Sequence, residues 1–229
     1  MIETNEVMKT YETLSGRITA LDQANISIKD GEFVLIVGRS GSGKSTLLSI
    51  LGGLTRPSSG KVMLNGKDLW AMNDEDLSEV RGSELGFVFQ FPGLLPTLNT
   101  LENVMLPTMF CSKVEEDPSE RATILLQTVG LGDKLDSFPN QLSGGELKRA
   151  AIARSLMNNP SIILADEPTG DLDVNTEKEI MDMFCRINKL GKTVVMVTHN
   201  QDLACFASRV LSMERGIVSE EEGQKCERI

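Results

Sequence analysis

The sequence predicts an α/β fold, a mostly parallel sheet flanked by helices, with an α-helical lobe inserted into it. Three observations lead there. Residues 33–37, 162–165 and 193–197 are short apolar runs rich in Val and Ile, the pattern of strands buried on both faces. Each run ends in polar residues: Gly38 after the first, Asp166 and Glu167 after the second, Thr198 and His199 after the third. From about Phe91 to Pro160 the strand pattern fades and helical periodicity replaces it, as at 119–129 and 145–157. Pro92, Pro96, Pro107, Pro118, Gly130, Gly132 and Pro139 punctuate this stretch. The implied organisation is one domain over residues 1–229, with a core lobe of 1–90 and 161–229 and a helical lobe of 91–160. In open α/β sheets ligands bind at the carboxyl ends of the strands, so the three polar endings point to one site.

Bulk properties exclude several classes. Of the 229 residues, 40% are hydrophobic and 24% charged, ordinary values for a globular chain. No run of about 18 uncharged apolar residues occurs, so no bilayer span is expected. Residues 1–9 carry acids and no apolar stretch, which is unlike a secretory signal. The net charge of −10 makes a phosphate backbone a poor general partner, and no nucleic acid is expected. Cys111, Cys185, Cys205 and Cys226 are dispersed with no C-x-x-C pair, so they read as reduced thiols of a cytoplasmic protein, not zinc ligands. The one biased segment is a short acidic stretch at 220–222.

The first strand runs into Gly38-Arg39-Ser40-Gly41-Ser42-Gly43-Lys44-Ser45-Thr46, which contains the phosphate-loop pattern G-x-x-x-x-G-K-S. Small residues let backbone N–H groups curl around a phosphate, and the following helix presents its positive end. Lys44 supplies a point charge to the β- and γ-phosphates, and the Ser45 hydroxyl can ligate Mg²⁺. The second strand ends in Asp166 and Glu167. Neighbouring side chains on a strand point opposite ways, so the two acids serve different jobs. One can hold Mg²⁺ through water while the other polarises an attacking water. No N-K-x-D motif for reading guanine is present.

Leu142-Ser143-Gly144-Gly145-Glu146 resembles the LSGGQ signature of the ABC (ATP-binding cassette) ATPases, about 20 residues before the acidic pair. The resemblance covers essentially the whole chain. It implies a P-loop NTPase fold with N-terminal antiparallel strands beside the parallel sheet. Tyr11 looks like the aromatic residue that stacks on adenine, although a tyrosine there can also simply pack on the core. Gln90, after the strand-like 87–89, matches the Q-loop glutamine, a Mg²⁺ ligand of the family. Asp166 matches the Walker B aspartate, which reaches Mg²⁺ through water, and Glu167 the catalytic glutamate. Thr169-Gly170-Asp171-Leu172-Asp173 resembles the D-loop, and His199 the switch histidine. Residues 86–107 and 162–173 look most like the lipoprotein-release and macrolide-export branch. The resemblance implies an ATP- and Mg²⁺-dependent ATPase that forms a homodimer on binding ATP. It would lie on the cytoplasmic face of the membrane, held by a separately encoded permease. The same branch includes members that do mechanical work across the membrane, as in cell division, without moving a solute.

The signature also makes local sense. Ser143-x-x-Glu146 is a capping box at the start of a helix, and Gly144 and Gly145 leave backbone amides open for a second anion site. In the family this second site meets the γ-phosphate of ATP held by a partner subunit. Glu146 stands where the family usually has Gln; either closes the box, but a carboxylate near a phosphate repels it. Gly170-Asp171 departs from the common Ser-Ala of the D-loop. His199, the only histidine, is expected to hydrogen-bond the γ-phosphate and orient water. Trp70, in a polar connector, reads as local packing.

Overall fold

Alternation of apolar and polar residues dictates the first strands. In the computed structural model, which describes residues 1–14, 16–111 and 117–220, the elements follow in chain order. They begin with β1 (Ile2–Thr13), β2 (Gly16–Ile28), β3 (Phe33–Val37), α1 (Lys44–Leu51), β4 (Ser59–Leu64) and β5 (Lys67–Asp68). Next come α2 (Asp74–Ser83), β6 (Leu85–Val88), α3 (Thr100–Met105), α4 (Pro118–Thr128) and α5 (Gly144–Ser155). The last are β7 (Ile162–Asp166), α6 (Val174–Lys189), β8 (Thr193–Thr198), β9 (Arg209–Glu214) and β10 (Ile217–Glu220). Cys226 and residues 221–222 of the acidic stretch lie outside the described residues. Among the described residues, Cys111, Cys185 and Cys205 form no disulfide.

The chain divides into two compact units. One is Met1–Leu77 with the described part of Thr193–Ile229; the other is Ser78–Lys192. In the first unit, β1 pairs antiparallel with both β2 and β4, giving the order β2-β1-β4-β5. Ala24, Ile26 and Ile28 alternate inward on β2, as a half-buried strand requires. The antiparallel N-terminal strands are as expected. A second run of strands has the order β10-β9-β3-β8. Here β3 is parallel to β8 and β9, and all five of its residues are buried. Helix α1 buries Leu47, Leu48, Ile50 and Leu51. The hairpin of β9 and β10 does not stand out among the apolar runs, because only one face of β9 is buried, at Leu211 and Met213, and polar residues alternate with them.

In the second unit β6 lies parallel to β7, from Leu85 opposite Ile162 to Val88 opposite Ala165. Gly86 permits a close approach: a Cβ there would stand 2.3 Å from the Ser155 carbonyl oxygen at the end of α5. The helices build their own core from Val104, Ala122, Leu126, Val129, Leu131, Ala150, Ala153 and Met157. Ala122 and Leu126 recur at helical spacing as the apolar stripe of α4, whereas α5 is buried at four consecutive positions, Ala150, Ala151, Ile152 and Ala153. Helices α4 and α5 fall within one or two residues of the stretches expected at 119–129 and 145–157.

Candidate functional site

The first unit carries the phosphate loop. Val37 pairs with Thr198, so Gly38 and His199 leave adjacent parallel strands at the same carboxyl edge. The Gly38 amide donates to the Thr198 carbonyl at 3.3 Å, and the Ser42 amide to the Arg39 carbonyl at 3.1 Å, which closes the loop. Two glycines are sterically required. A Cβ on Gly38 would lie 2.3 Å from the Met213 oxygen. Gly43 has φ +106, and a Cβ there would lie 2.2 Å from the Ala20 oxygen. Gly43 is also the N-cap of α1 and, having no side chain, offers that helix no side-chain cap. The buried Lys44 ammonium donates to the Gly38 and Arg39 carbonyls at 2.7 and 3.1 Å. Ser45 and His199 are exposed, and Thr46 is half-buried.

Tyr11 sits on β1 opposite Ile18 of β2, and Ala20, two residues further on, abuts Gly43. The strand pair therefore links the tyrosine to the loop. The Lys9 ammonium stands 5.0 Å from the Tyr11 ring centroid, and 40% of the tyrosine is exposed.

The second unit gathers the other residues. Gln90 and Asp166 emerge from β6 and β7, whose parallel register brings them out at one edge. Glu167 follows with φ 45, a left-handed conformation uncommon for a residue with a side chain, and the Gly170 amide closes the turn onto its carbonyl at 3.1 Å. A Cβ on Gly170 would lie 3.4 Å from the Glu167 oxygen and 4.0 Å from the Gln90 side-chain nitrogen. The D-loop then ends in Asp173, the N-cap of α6, which accepts from the amides of Asn175 and Thr176 and from the Thr176 hydroxyl at 2.6 Å. These bonds, the hydroxyl first, hold its carboxyl below the usual range.

The signature forms the start of α5. Ser143 caps it, accepting from the Glu146 amide at 3.3 Å, while Glu146 accepts from the Ser143 amide at 2.7 Å. The Ser143 backbone bond, then its side-chain bond, hold the Glu146 carboxyl below its ordinary value, with smaller help from Lys134 and Arg149. A Cβ on Gly144 would meet nothing within 4 Å, so the space beside Gly144 is open, while the Glu146 amide is taken by the Ser143 cap.

Sequence reasoning missed Lys148 and Arg154. Lys148 is a buried lysine on α5 that donates to the Gln90 carbonyl, and Arg154 donates to the carbonyls of Pro92 and Gly93. The signal available was a cation on a helix face otherwise made of Ala and Ile. Trp70 lies in a short turn, its amide donating to Asp68 and its carbonyl accepting from Arg56.

The loop suits a polyphosphate. Backbone curvature that a Cβ would obstruct, an uncapped helix start and a buried lysine form the cradle, and the buried Ser42 hydroxyl has no hydrogen-bond partner among the described residues. The oxygen donors of Ser45, Gln90 and Asp166 are of the hard type that Mg²⁺ selects. Among the described residues no helix is long and apolar enough to cross a membrane.

Comparison with known proteins agrees with this chemistry. The ABC transporter family matches residues 21–170. The lipoprotein-releasing system ATP-binding protein LolD of Aquifex aeolicus is 49% identical over 213 residues, 93% of this chain and 92% of that protein. The macrolide export ATP-binding/permease protein MacB of Chlorobaculum tepidum is 44% identical over 229 residues, all of this chain but 35% of that longer protein. Among solved structures, a dimeric ATP-binding cassette in a post-hydrolysis state, bound to ADP and Pi, superposes with a TM-score of 0.89 at 41% identity, covering 98% of this chain and 100% of that one. The phosphate loop, the acidic strand end and the signature helix thus stand within a family match that spans most of the chain, and this protein belongs to the ABC transporter family as an ATP-binding, ATP-hydrolysing cassette.

Proposed function

We propose that this chain, a single ABC ATPase domain over residues 1–229, energises a separately encoded membrane permease of the export or lipoprotein-release type by closing as a homodimer around ATP. It works at the cytoplasmic face of the membrane, attached through that permease. The observation that carries the reading is a second anion-binding helix start in a chain that already has a phosphate loop. Ser143 and Gly144 are exposed at the start of α5, and nothing lies within 4 Å of where a Gly144 side chain would begin. A helix start so open suits the γ-phosphate of an ATP bound by a second copy.

The roles follow from the chemistry of each group. The amides of residues 38–46 and the Lys44 ammonium hold the β- and γ-phosphates. Tyr11 stacks on the adenine. Ser45, Gln90 and, through water, Asp166 hold Mg²⁺, which when bound neutralises charge on the phosphates. Glu167 orients and polarises the attacking water, and His199 hydrogen-bonds the γ-phosphate. Ser143, Gly144, Gly145 and Glu146 contact the partner's ATP, and Asp173 keeps the D-loop and α6 in place beside that surface. Exposed apolar residues in the second unit support a permease contact: Phe91, next to Gln90, is 74% exposed, and Met109 and Phe110 are 77% and 70% exposed.

The test is the mass of Glu167→Gln by light scattering with Mg-ATP, Mg-ADP and no nucleotide. A species of twice the 25.0 kDa chain mass with ATP alone is expected. A monomer in all three conditions would count against ATP-driven closure of the isolated chain.

A further inference from the structure

The segment after Gln90 is held by side chains from two helices of its own unit. Asn103 on α3 is buried and donates to the carbonyls of Leu95, Leu98 and Asn99 at 3.1, 3.0 and 2.9 Å, while its oxygen accepts from the Leu95 amide at 2.7 Å. Arg154 on α5 donates to the Pro92 and Gly93 carbonyls at 2.5 and 2.8 Å. At the head of the segment, Lys148 on the same helix donates to the Gln90 carbonyl. The signature helix thus grips residues 90, 92 and 93 by their backbone from two points six residues apart.

Lys148 is the unusual member. Only 6% of it is exposed, and its neighbours Ala150, Ala151, Ile152 and Ala153 are fully buried. Burying an ammonium is costly, and an apolar residue there would avoid the cost, unless specific partners compensate. Desolvation pushes the Lys148 ammonium below the usual lysine range, and the carboxylates of Asp171 and Glu167 oppose that shift. The Gln90 side-chain nitrogen, in turn, stands 4.0 Å from where a Cβ of Gly170 would be, in the turn closed by the Glu167 carbonyl. One buried cation therefore fixes the backbone of the glutamine whose side chain faces the Glu167–Gly170 turn.

We propose that Lys148 is a positioning residue for ATP hydrolysis that acts through Gln90, its hydrogen bond to the Gln90 carbonyl coupling the Q-loop to the helix that begins at the signature. The inference rests on the reading of Gln90 as part of the hydrolytic site. It assigns the work to the tether and not to the charge alone, since a neutral donor at the same position can still hold the carbonyl.

Steady-state ATPase kinetics on Lys148→Met, Lys148→Gln, Gln90→Ala and the Lys148→Met/Gln90→Ala double variant test it, with thermal melts to establish that each is folded. Lys148→Met is expected to lower kcat by about tenfold with KM for ATP within about twofold, as a small misplacement of a catalytic group does. Lys148→Gln is expected to keep at least about a third of the wild-type kcat. The double variant is expected to be no slower than Gln90→Ala, because two residues acting in series do not add. Wild-type kcat in Lys148→Met, equal loss in the Met and Gln variants, or a double variant in which the two losses multiply overturns the inference. Should Lys148→Met not fold, a folded Lys148→Gln with a tenfold loss overturns it as well. Wild-type kcat in Gln90→Ala sinks the Gln90 reading and the inference together, whereas a slow Gln90→Ala beside a fast Lys148→Met sinks the inference alone.

Discussion

Thr176 lies directly over Gly145: a Cβ on that glycine would come within 2.8 Å of the Thr176 methyl carbon, while the Thr176 hydroxyl donates to Asp173 at 2.6 Å. One threonine therefore touches both the signature, through its methyl, and the end of the D-loop, through its hydroxyl. The second glycine of the signature is demanded by its own chain's next helix, before any nucleotide is considered.

Gly145→Ala is accordingly expected to destabilise the fold by about 1–2 kcal/mol, the overpacking cost exceeding the gain in helix propensity. Adding Thr176→Ser removes the methyl and keeps the hydroxyl, so the double variant should return to within about 0.5 kcal/mol of wild type. Urea unfolding of the three proteins checks this. A Gly145→Ala loss that Thr176→Ser leaves untouched would mean that the clash is relieved elsewhere.

The capping box makes the acidic signature pH-sensitive. The Glu146 carboxyl is held below its ordinary value of 4.5 by the Ser143 amide. The unfolded chain therefore binds more protons than the folded one between the lowered value and 4.5, so stability rises with pH across that window. The contribution is fully present above 4.5 and disappears as pH falls through the folded value. Glu146→Gln keeps a box acceptor without the ionisation, so its stability deficit against wild type should be visible at neutral pH and shrink below 4.5. Denaturant titrations from neutral to acid pH measure it; a deficit constant with pH would contradict the assignment. In ATP-dependent dimerisation, with Glu167→Gln as background, removing this charge should strengthen the dimer by about two- to fivefold, because Lys134 at 4.0 Å already answers part of it.

What was legible in the sequence is what short spacing determines. The phosphate loop, the paired acids and the capping box are each complete within nine residues or fewer, and local backbone geometry dictates their residue types. The parallel strands were visible because strands buried on both faces read as continuous apolar runs. The role of Lys148 was not visible, since its partner lies 58 residues away and the Ala and Ile beside it signal a buried face without naming what the ammonium meets. The same holds for Gly86, whose reason is the Ser155 carbonyl, and for Gly145, whose reason is Thr176. The left-handed turn at Glu167 was hidden too, because a glutamate carries no local preference for it.

Two glycines should behave in opposite ways. Gly43 has φ +106 with the Ala20 oxygen 2.2 Å from its missing Cβ, so Gly43→Ala is expected to distort the loop, cost about 3 kcal/mol or more, and abolish ATP binding. Gly144 has open space around it, so Gly144→Ala should melt within about 2 °C of wild type, as surface substitutions do. It should still weaken the ATP-driven dimer, by at least about tenfold, by crowding the open space that the proposed partner phosphate needs. Thermal melts and nucleotide-dependent light scattering separate the two cases. Unchanged dimerisation in Gly144→Ala would move the trans contact away from this amide.

Tyr11 offers the remaining choice, between a base platform and a packing residue. Lys9 is anchored by donating to the Arg56 carbonyl at 2.8 Å and stands over the Tyr11 ring at 5.0 Å, which occupies one face of the aromatic. With 40% of the residue exposed, the ring remains available to a flat partner, and an aromatic pair contributes about 0.5–1.5 kcal/mol. Tyr11→Ala should therefore raise KM for ATP by about three- to tenfold with kcat nearly unchanged, and Tyr11→Phe should behave as wild type. Inorganic triphosphate, which has no base to stack, should bind wild type and Tyr11→Ala equally. If Tyr11→Ala instead lowers stability and leaves KM alone, the ring serves β1 and β2 through its cross-strand neighbour Ile18, and the adenine lies elsewhere.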